Sequence, residues 1–223
     1  MSMYERTELI LGSLALKKLK NSKVIVFGVG GVGGYVCEML ARCGVGEITV
    51  VDDDVVTESN LNRQIIALNS TLGLKKVDVI KTRLQDINPQ LKINAVYRRF
   101  EEGTQNEFLL EEYNYVVDSI DSLFEKLLLI KTSKQVNANI ISSMGAGNRS
   151  GIPQFEICDI YKTSYDPLAK KIRKMLKKEG ISELTVCSTK EAPKKQQKTA
   201  SVAFYPSICG ITIASFVINE LIK

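Results

Sequence analysis

The chain is 223 residues long, with 44% apolar and 25% charged residues, values of ordinary globular proteins that exclude wholesale disorder and collagen-like or disulfide-scaffold architectures. Histidine is absent, which removes every mechanism that needs imidazole as base, nucleophile or metal ligand, serine-hydrolase and zinc-hydrolase chemistry included. Net charge is +5, yet residues 161–200 alone hold eleven Lys or Arg against four Asp or Glu, a local +7, so the rest of the chain carries −2.

The N-terminal MSMYERTELILG has charge inside its apolar stretch and no signal-peptide core. From there β-branched runs alternate with helical ones, the pattern of βα units around a mostly parallel sheet with helices on both faces, a Rossmann-like α/β fold. KVIVFG (23–28) reads as a buried strand. The next helix places Val36, Met39, Leu40 and Cys43 on one face and ends at Gly44 and Gly46. EITVVD (47–52) is the second strand. A helix over 74–88, closed by Pro89, leads to a third strand at 92–97. A short helix at 106–112 precedes the fourth strand, YNYVVDSI. A helix over 122–135, the segment NIISSMGAG and a strand over 154–160 follow.

The pattern changes after Asp159. Asp166 and Pro167 start a helix that Gly180 stops, because Asp caps free amides and Pro fits the first turn. Residues 188–198 lack apolar periodicity and read as a mobile loop. Residues 199–219 contain no charge, which raises the membrane question. Pro206, Ser207, Gly210, Thr212 and Ser215 interrupt that run, so it reads as a buried strand and helix of the core, with membrane contact as the alternative. One domain is expected, with a nucleotide-binding core at 1–160, a basic helix and loop at 161–200 and an apolar segment at 201–223.

GVGGVG places Gly28, Gly30, Gly31 and Gly33 between a strand and a helix. Such a turn lets backbone approach a phosphate, and the helix start supplies free amides. Asp52, ending the second strand, can accept both ribose hydroxyls, and on these features alone a dinucleotide enzyme or a non-catalytic NAD sensor fits. DDDVVTESNLNRQ changes that reading. It sets Asp52, Asp53 and Asp54, then Asn60, Asn62, Arg63 and Gln64, beyond the strand, with Lys75 and Lys76 shortly after and Asp118 and Asp121 ending the fourth strand. Cations for phosphoryl oxygens beside carboxylates that can hold magnesium make a site suited to ATP.

GVGGVG, VVDDDVVTESNLNRQ, GLKKVDV and VVDSIDS, in that order, resemble the adenylating domain of the ThiF, MoeB and ubiquitin-activating superfamily. The resemblance implies ribose binding by Asp52, phosphate contacts from Asn60, Arg63 and Lys76 beside Asp54, and Mg2+ positioned by Asp121. MYERTELILG resembles the N-terminal helix of that superfamily, which implies a homodimer in which Arg6 reaches the partner's ATP. The sulfur-carrier enzymes' zinc-binding CxxC pairs are missing. DPLAKKIRKMLKK, VCSTKEAP and the uncharged C-terminal stretch resemble the tRNA threonylcarbamoyladenosine dehydratases. That resemblance implies ATP-dependent adenylation and ring closure of the threonylcarbamoyl group on tRNA, and admits a partner from a cysteine-desulfurase system. The lysine-rich segment then serves the tRNA backbone. The rival activity is adenylation of the C-terminus of a sulfur-carrier or ubiquitin-like protein.

The five cysteines form no CxxC pair, which points to reduced, cytoplasmic chemistry. Cys37, Cys43, Cys158 and Cys209 sit in apolar surroundings and read as core. Cys187 admits two readings, a nucleophile near Lys190 or a small apolar residue.

Overall fold

The computed structural model describes residues 3–223. Its seven strands form one sheet in the order β3-β2-β1-β4-β5-β7-β6. They are β1 (Lys23–Phe27), β2 (Glu47–Asp52), β3 (Lys92–Tyr97), β4 (Tyr115–Asp118), β5 (Ile140–Ser143), β6 (Phe155–Asp159) and β7 (Thr185–Thr189). All neighbours run parallel except the edge pair β6 and β7.

Alternation along the strands divides the core. Val24 and Val26 of β1 face one side, packed with α2 (Ser13–Lys20), α3 (Gly33–Cys43), α4 (Lys76–Ile87) and α7 (Phe204–Leu221). Ile25 and Phe27 face the other side, with α5 (Leu123–Gln135) and α6 (Pro167–Lys178). The result is a three-layer sandwich whose central strands are buried on both faces, which is why they read as continuous apolar runs. α1 (Glu5–Leu11) lies outside these layers and buries none of its residues.

Strand order reverses between β1 and β4, and that point of an open α/β sheet leaves a crevice at the carboxyl ends of the strands. Gly28 and Ser119 leave the sheet there side by side, the Ser119 amide donating to the Phe27 carbonyl at 2.8 Å.

Three expectations change. Residues 106–112 form two 3-10 turns, Gln105–Glu107 and Leu110–Glu112, in place of one helix. Ser188 and Thr189 belong to β7, a strand inserted between β5 and β6, so the irregular segment begins only at Lys190. β7 escapes a periodicity reading because its short run of small polar residues is buried on both faces of the sheet, Cys187 in the core on one side and Val186 in the core on the other. Residues 199–219 contain no strand. Their helix, α7, is long and apolar enough to cross a membrane by length and composition, with mean hydropathy 1.3, but it lays Tyr205, Cys209, Ile213 and Val217 into the core. α6 is capped as expected: Asp166 Oδ1 accepts from the Leu168 and Ala169 amides at 2.8 and 3.0 Å, and Pro167 occupies the first turn.

Candidate active site

The glycine turn after β1 is the floor of a cavity of about 870 Å3. Gly28 has φ +85°, and a Cβ there would stand 2.7 Å from the Ser119 carbonyl oxygen. At Gly33 a Cβ would overlap the Gly28 carbonyl at 1.9 Å, so the turn closes onto the helix only without side chains. Gly28, Gly30 and Gly31 line the cavity, while Gly33 shapes it from beneath as the first residue of α3.

Asp52 ends β2 beside this turn. Its carboxylate accepts from the Val29 amide at 2.6 Å and the Asp54 amide at 2.9 Å, which ties the glycine turn to the second strand. Burial raises its pKa despite Lys76 and those two amides. Lys76 is itself buried and reaches Asp54 Oδ2 at 2.6 Å and Asp52 Oδ1 at 4.0 Å. Arg63 extends over the turn, its Nη1 donating to the Ser59 carbonyl at 2.8 Å and to Asn62 Oδ1 at 2.9 Å. Asp121 is exposed on the rim. The structure therefore brings Gly28, Gly30, Gly31, Asp52, Asp54, Arg63, Lys76 and Asp121 around one cavity.

Other candidates lie elsewhere. Asn60 is buried and does not line the cavity. Its Oδ1 accepts from the Thr57 amide at 3.1 Å, and its carbonyl accepts from the Arg63 and Gln64 amides, so it builds the turn that presents Arg63. Lys75 lies over the Tyr97 ring, 4.4 Å from its centroid. Asp118 points into the core, paired with Lys126 at 2.8 Å. Arg6 is exposed on α1, away from the cavity of its own chain. Cys187 is buried with its sulfur 3.7 Å from that of Cys209; that contact and burial push its thiol upward, which suits a packed residue and overturns the nucleophile reading.

The opposite wall was not legible in the sequence. Gly145, Gly147 and Arg149, following β5, face the glycine turn across the cavity. Arg149 is buried and clamps three carbonyl groups, donating to Gly145 at 2.6 Å, Gly147 at 3.2 Å and Glu191 at 2.7 Å. Asp166 Oδ2 accepts from the Gly145 amide at 2.8 Å, joining the start of α6 to this wall. Glu191 fixes the far end: it accepts from Tyr205 Oη at 2.5 Å and from the Ser150 and Gly151 amides. Lys194 and Lys195 line the cavity as well, so part of the expected RNA-facing lysine set borders the nucleotide space. Arg173 is spent within the fold, donating to Ile160 and Thr163.

Two buried polar atoms on the cavity wall, Gln64 Oε1 and Ser119 Oγ, have no hydrogen-bond partner among the described residues. With the glycine turn and the two cations they form a cradle suited to a polyphosphate.

The ThiF family matches residues 4–223. The chain is 39% identical to the tRNA threonylcarbamoyladenosine dehydratase of Bacillus subtilis (strain 168), an alignment covering 99% of this chain and 94% of that protein. Its fold is similar to crystal structures of the E. coli tRNA N6-threonylcarbamoyladenosine dehydratase, TcdA. The TcdA complex with ATP superposes with TM-score 0.93 at 29% identity, covering 98% of this chain and 93% of that one. The complex with AMP gives 0.92 at 30%, covering 97% and 92%.

Proposed function

Because this chain belongs to the ThiF family, we propose that it is an ATP-dependent tRNA threonylcarbamoyladenosine dehydratase. The carrying observation is one continuous cavity: the glycine turn, Arg63 and Lys76 line one side, while Pro167 and Leu168 of the lysine-rich helix, with Lys194 and Lys195, line the other. A nucleotide on the first side and RNA arriving over the second would meet inside it. The names of the similar proteins, and the ATP and AMP held by TcdA, support the same reading.

The threonine carboxylate attacks the α-phosphorus of ATP, and pyrophosphate leaves. The neighbouring carbamoyl group then attacks the activated carbonyl carbon, loses a proton and expels AMP, closing a ring with net loss of water from the nucleoside. Both reacting groups are already tethered, so the protein needs to orient them and stabilise phosphate charge, and no imidazole is required. Arg63 and Lys76 take the phosphoryl oxygens; Asp52 takes the ribose hydroxyls.

The carboxylates fit a hard cation: Asp121 stands free on the rim, and oxygens of Asp52, Asp53 and Asp54 lie within 4.8 Å of one another. Magnesium held at Asp121 would neutralise charge on the departing pyrophosphate.

A homodimer completes the site. Leu9, Ile10 and Leu14 are exposed near Arg6, an apolar patch whose burial against a second copy would carry Arg6 toward the partner's cavity. The test is incubation with ATP and either threonylcarbamoyl-modified tRNA or small carrier proteins, following AMP release and the nucleoside's mass. Loss of 18 Da from the nucleoside, about one water, is expected. AMP release with a carrier protein alone would favour the rival reading.

A further inference from the structure

Tyr165 is one of three non-glycine residues with left-handed backbone among the described residues, at φ 59°, beside Asn137 and Asn148. Asparagine enters that region readily, whereas a bulky aromatic residue does so only under constraint. The constraint is its neighbour. Asp166 accepts from the Leu168, Ala169 and Gly145 amides and so fixes the chain one residue further on. The ring is turned outward, 69% exposed, with no hydrogen-bond or ring partner among the described residues.

One exposed aromatic ring is ordinary in itself; its surroundings single this one out. The next three residues, Asp166, Pro167 and Leu168, line the cavity. From Pro167 an exposed row of Lys171, Lys174 and Lys178 runs along α6 at helical spacing, and exposed Lys162 lies on the other side of the turn. The ring thus stands where the cavity meets the cationic helix, and charge complementarity identifies the partner as a polyanion with flat faces. Proteins that read single-stranded RNA loops stack splayed bases on such rings and hold the phosphates with cations.

We infer that Tyr165 is a stacking platform for a nucleobase adjacent to the modified adenosine. The inference rests on the tRNA reading above. The adenosine carrying the acyl group enters the cavity, its neighbour packs on the phenol face at the mouth, and the α6 lysines take the backbone. Tyr165 thereby separates an RNA substrate from a free nucleoside, which has no neighbouring base to stack.

The chain contains no tryptophan, so Tyr165→Trp provides a single fluorescent reporter at this position. The probe is an anticodon stem-loop RNA carrying threonylcarbamoyladenosine. Its addition should quench that fluorescence. Tyr165→Ala should weaken RNA affinity about 5- to 150-fold, the loss of one stacked base, and Tyr165→Phe should retain affinity. The slope of log Kd against log salt should stay at the wild-type value in the Ala variant, because stacking releases no phosphate counterions. Tyr165→Gly removes the ring and relieves the backbone, so it should melt no lower than wild type while binding RNA as weakly as the Ala variant. ATP affinity should be unchanged in all four. Wild-type RNA affinity in both the Ala and Gly variants overturns the stacking role and leaves the tRNA reading standing. Equal loss of ATP and RNA affinity overturns it too, by assigning Tyr165 to structure. Failure of wild-type protein to bind the stem-loop, with turnover of a carrier protein instead, sinks both.

Discussion

Lys126 Nζ lies 2.8 Å from Asp118 Oδ2 with both side chains wholly withdrawn from solvent. The ammonium also donates to Ser142 Oγ at 3.2 Å and the Ser143 carbonyl at 3.1 Å, while Asp118 accepts from Ser142 Oγ at 2.5 Å and the Ile120 amide at 3.0 Å. Every donor of the lysine is used, and the network ties β4 and β5 to α5 directly beneath cavity-lining Ser119 and Ser143.

Removing one partner strands a buried charge. Lys126→Met or Asp118→Leu alone should destabilise by about 3–5 kcal/mol, and the double replacement should cost less than the two losses summed. Urea denaturation measures this. Single losses below about 1 kcal/mol would mean that water reaches the pair.

Asp118 also shows what the sequence could and could not convey. VVDSID places two carboxylates three residues apart at one strand end, and nothing local says that the first turns inward while Asp121 turns out. The glycine turn, Asp52, Arg63 and Lys76 were legible because strand, turn and helix are short-range features of fixed geometry. The opposite wall was not: Arg149 joins Gly145 to Glu191 across 42 residues, and Asp166 reaches Gly145 across 21, pairings that only the fold creates. β7 was missed for a related reason, since the core layers on both faces of the sheet, and no alternation of its own, set its burial.

Glu38 of α3 carries a pH dependence of known sign. Its burial would raise the carboxyl pKa, but hydrogen bonds from Arg83 at 2.7 Å and Arg42 at 2.8 Å overcome that and hold it below the ordinary range. A carboxylate depressed in the folded state contributes stability above its unfolded pKa of about 4.3 and loses it as pH falls through the folded value. Glu38→Gln should therefore be about 1.5–3 kcal/mol less stable at neutral pH, with the gap to wild type closing in acid. A gap that stays constant down the pH series would place the effect in packing.

Arg6 and Arg63 test the composite site together. Each Ala variant alone should lose about 10²-fold in turnover, the scale of one donor removed from a charge-stabilising site. In the proposed homodimer, subunit exchange would leave half the dimers mixed, each with one cavity holding both arginines. Mixing the two dead proteins should thus restore about a quarter of wild-type activity. Proven exchange without recovery would make Arg6 a structural residue of its own chain.

The row of Lys171, Lys174 and Lys178 starts beside cavity-lining Pro167 and is exposed along its length, unlike Arg173, whose donors go to Ile160 and Thr163. Lys177 lies 5.8 Å from the Tyr161 ring centroid and so has a partner within the fold. Phosphate contacts release condensed counterions, so each of the three row lysines that meets the RNA backbone should contribute up to about 1 to the slope of log affinity against log salt. Changing all three to Gln should raise the KM for tRNA and flatten that slope by up to about 3, with the KM for ATP unchanged, since none of them lines the cavity. A solvated helix face predicts no change in either constant. Wild-type affinity and slope in the triple variant would remove α6 from the RNA surface and leave Lys194 and Lys195, which border the cavity itself, as the cations that meet the substrate.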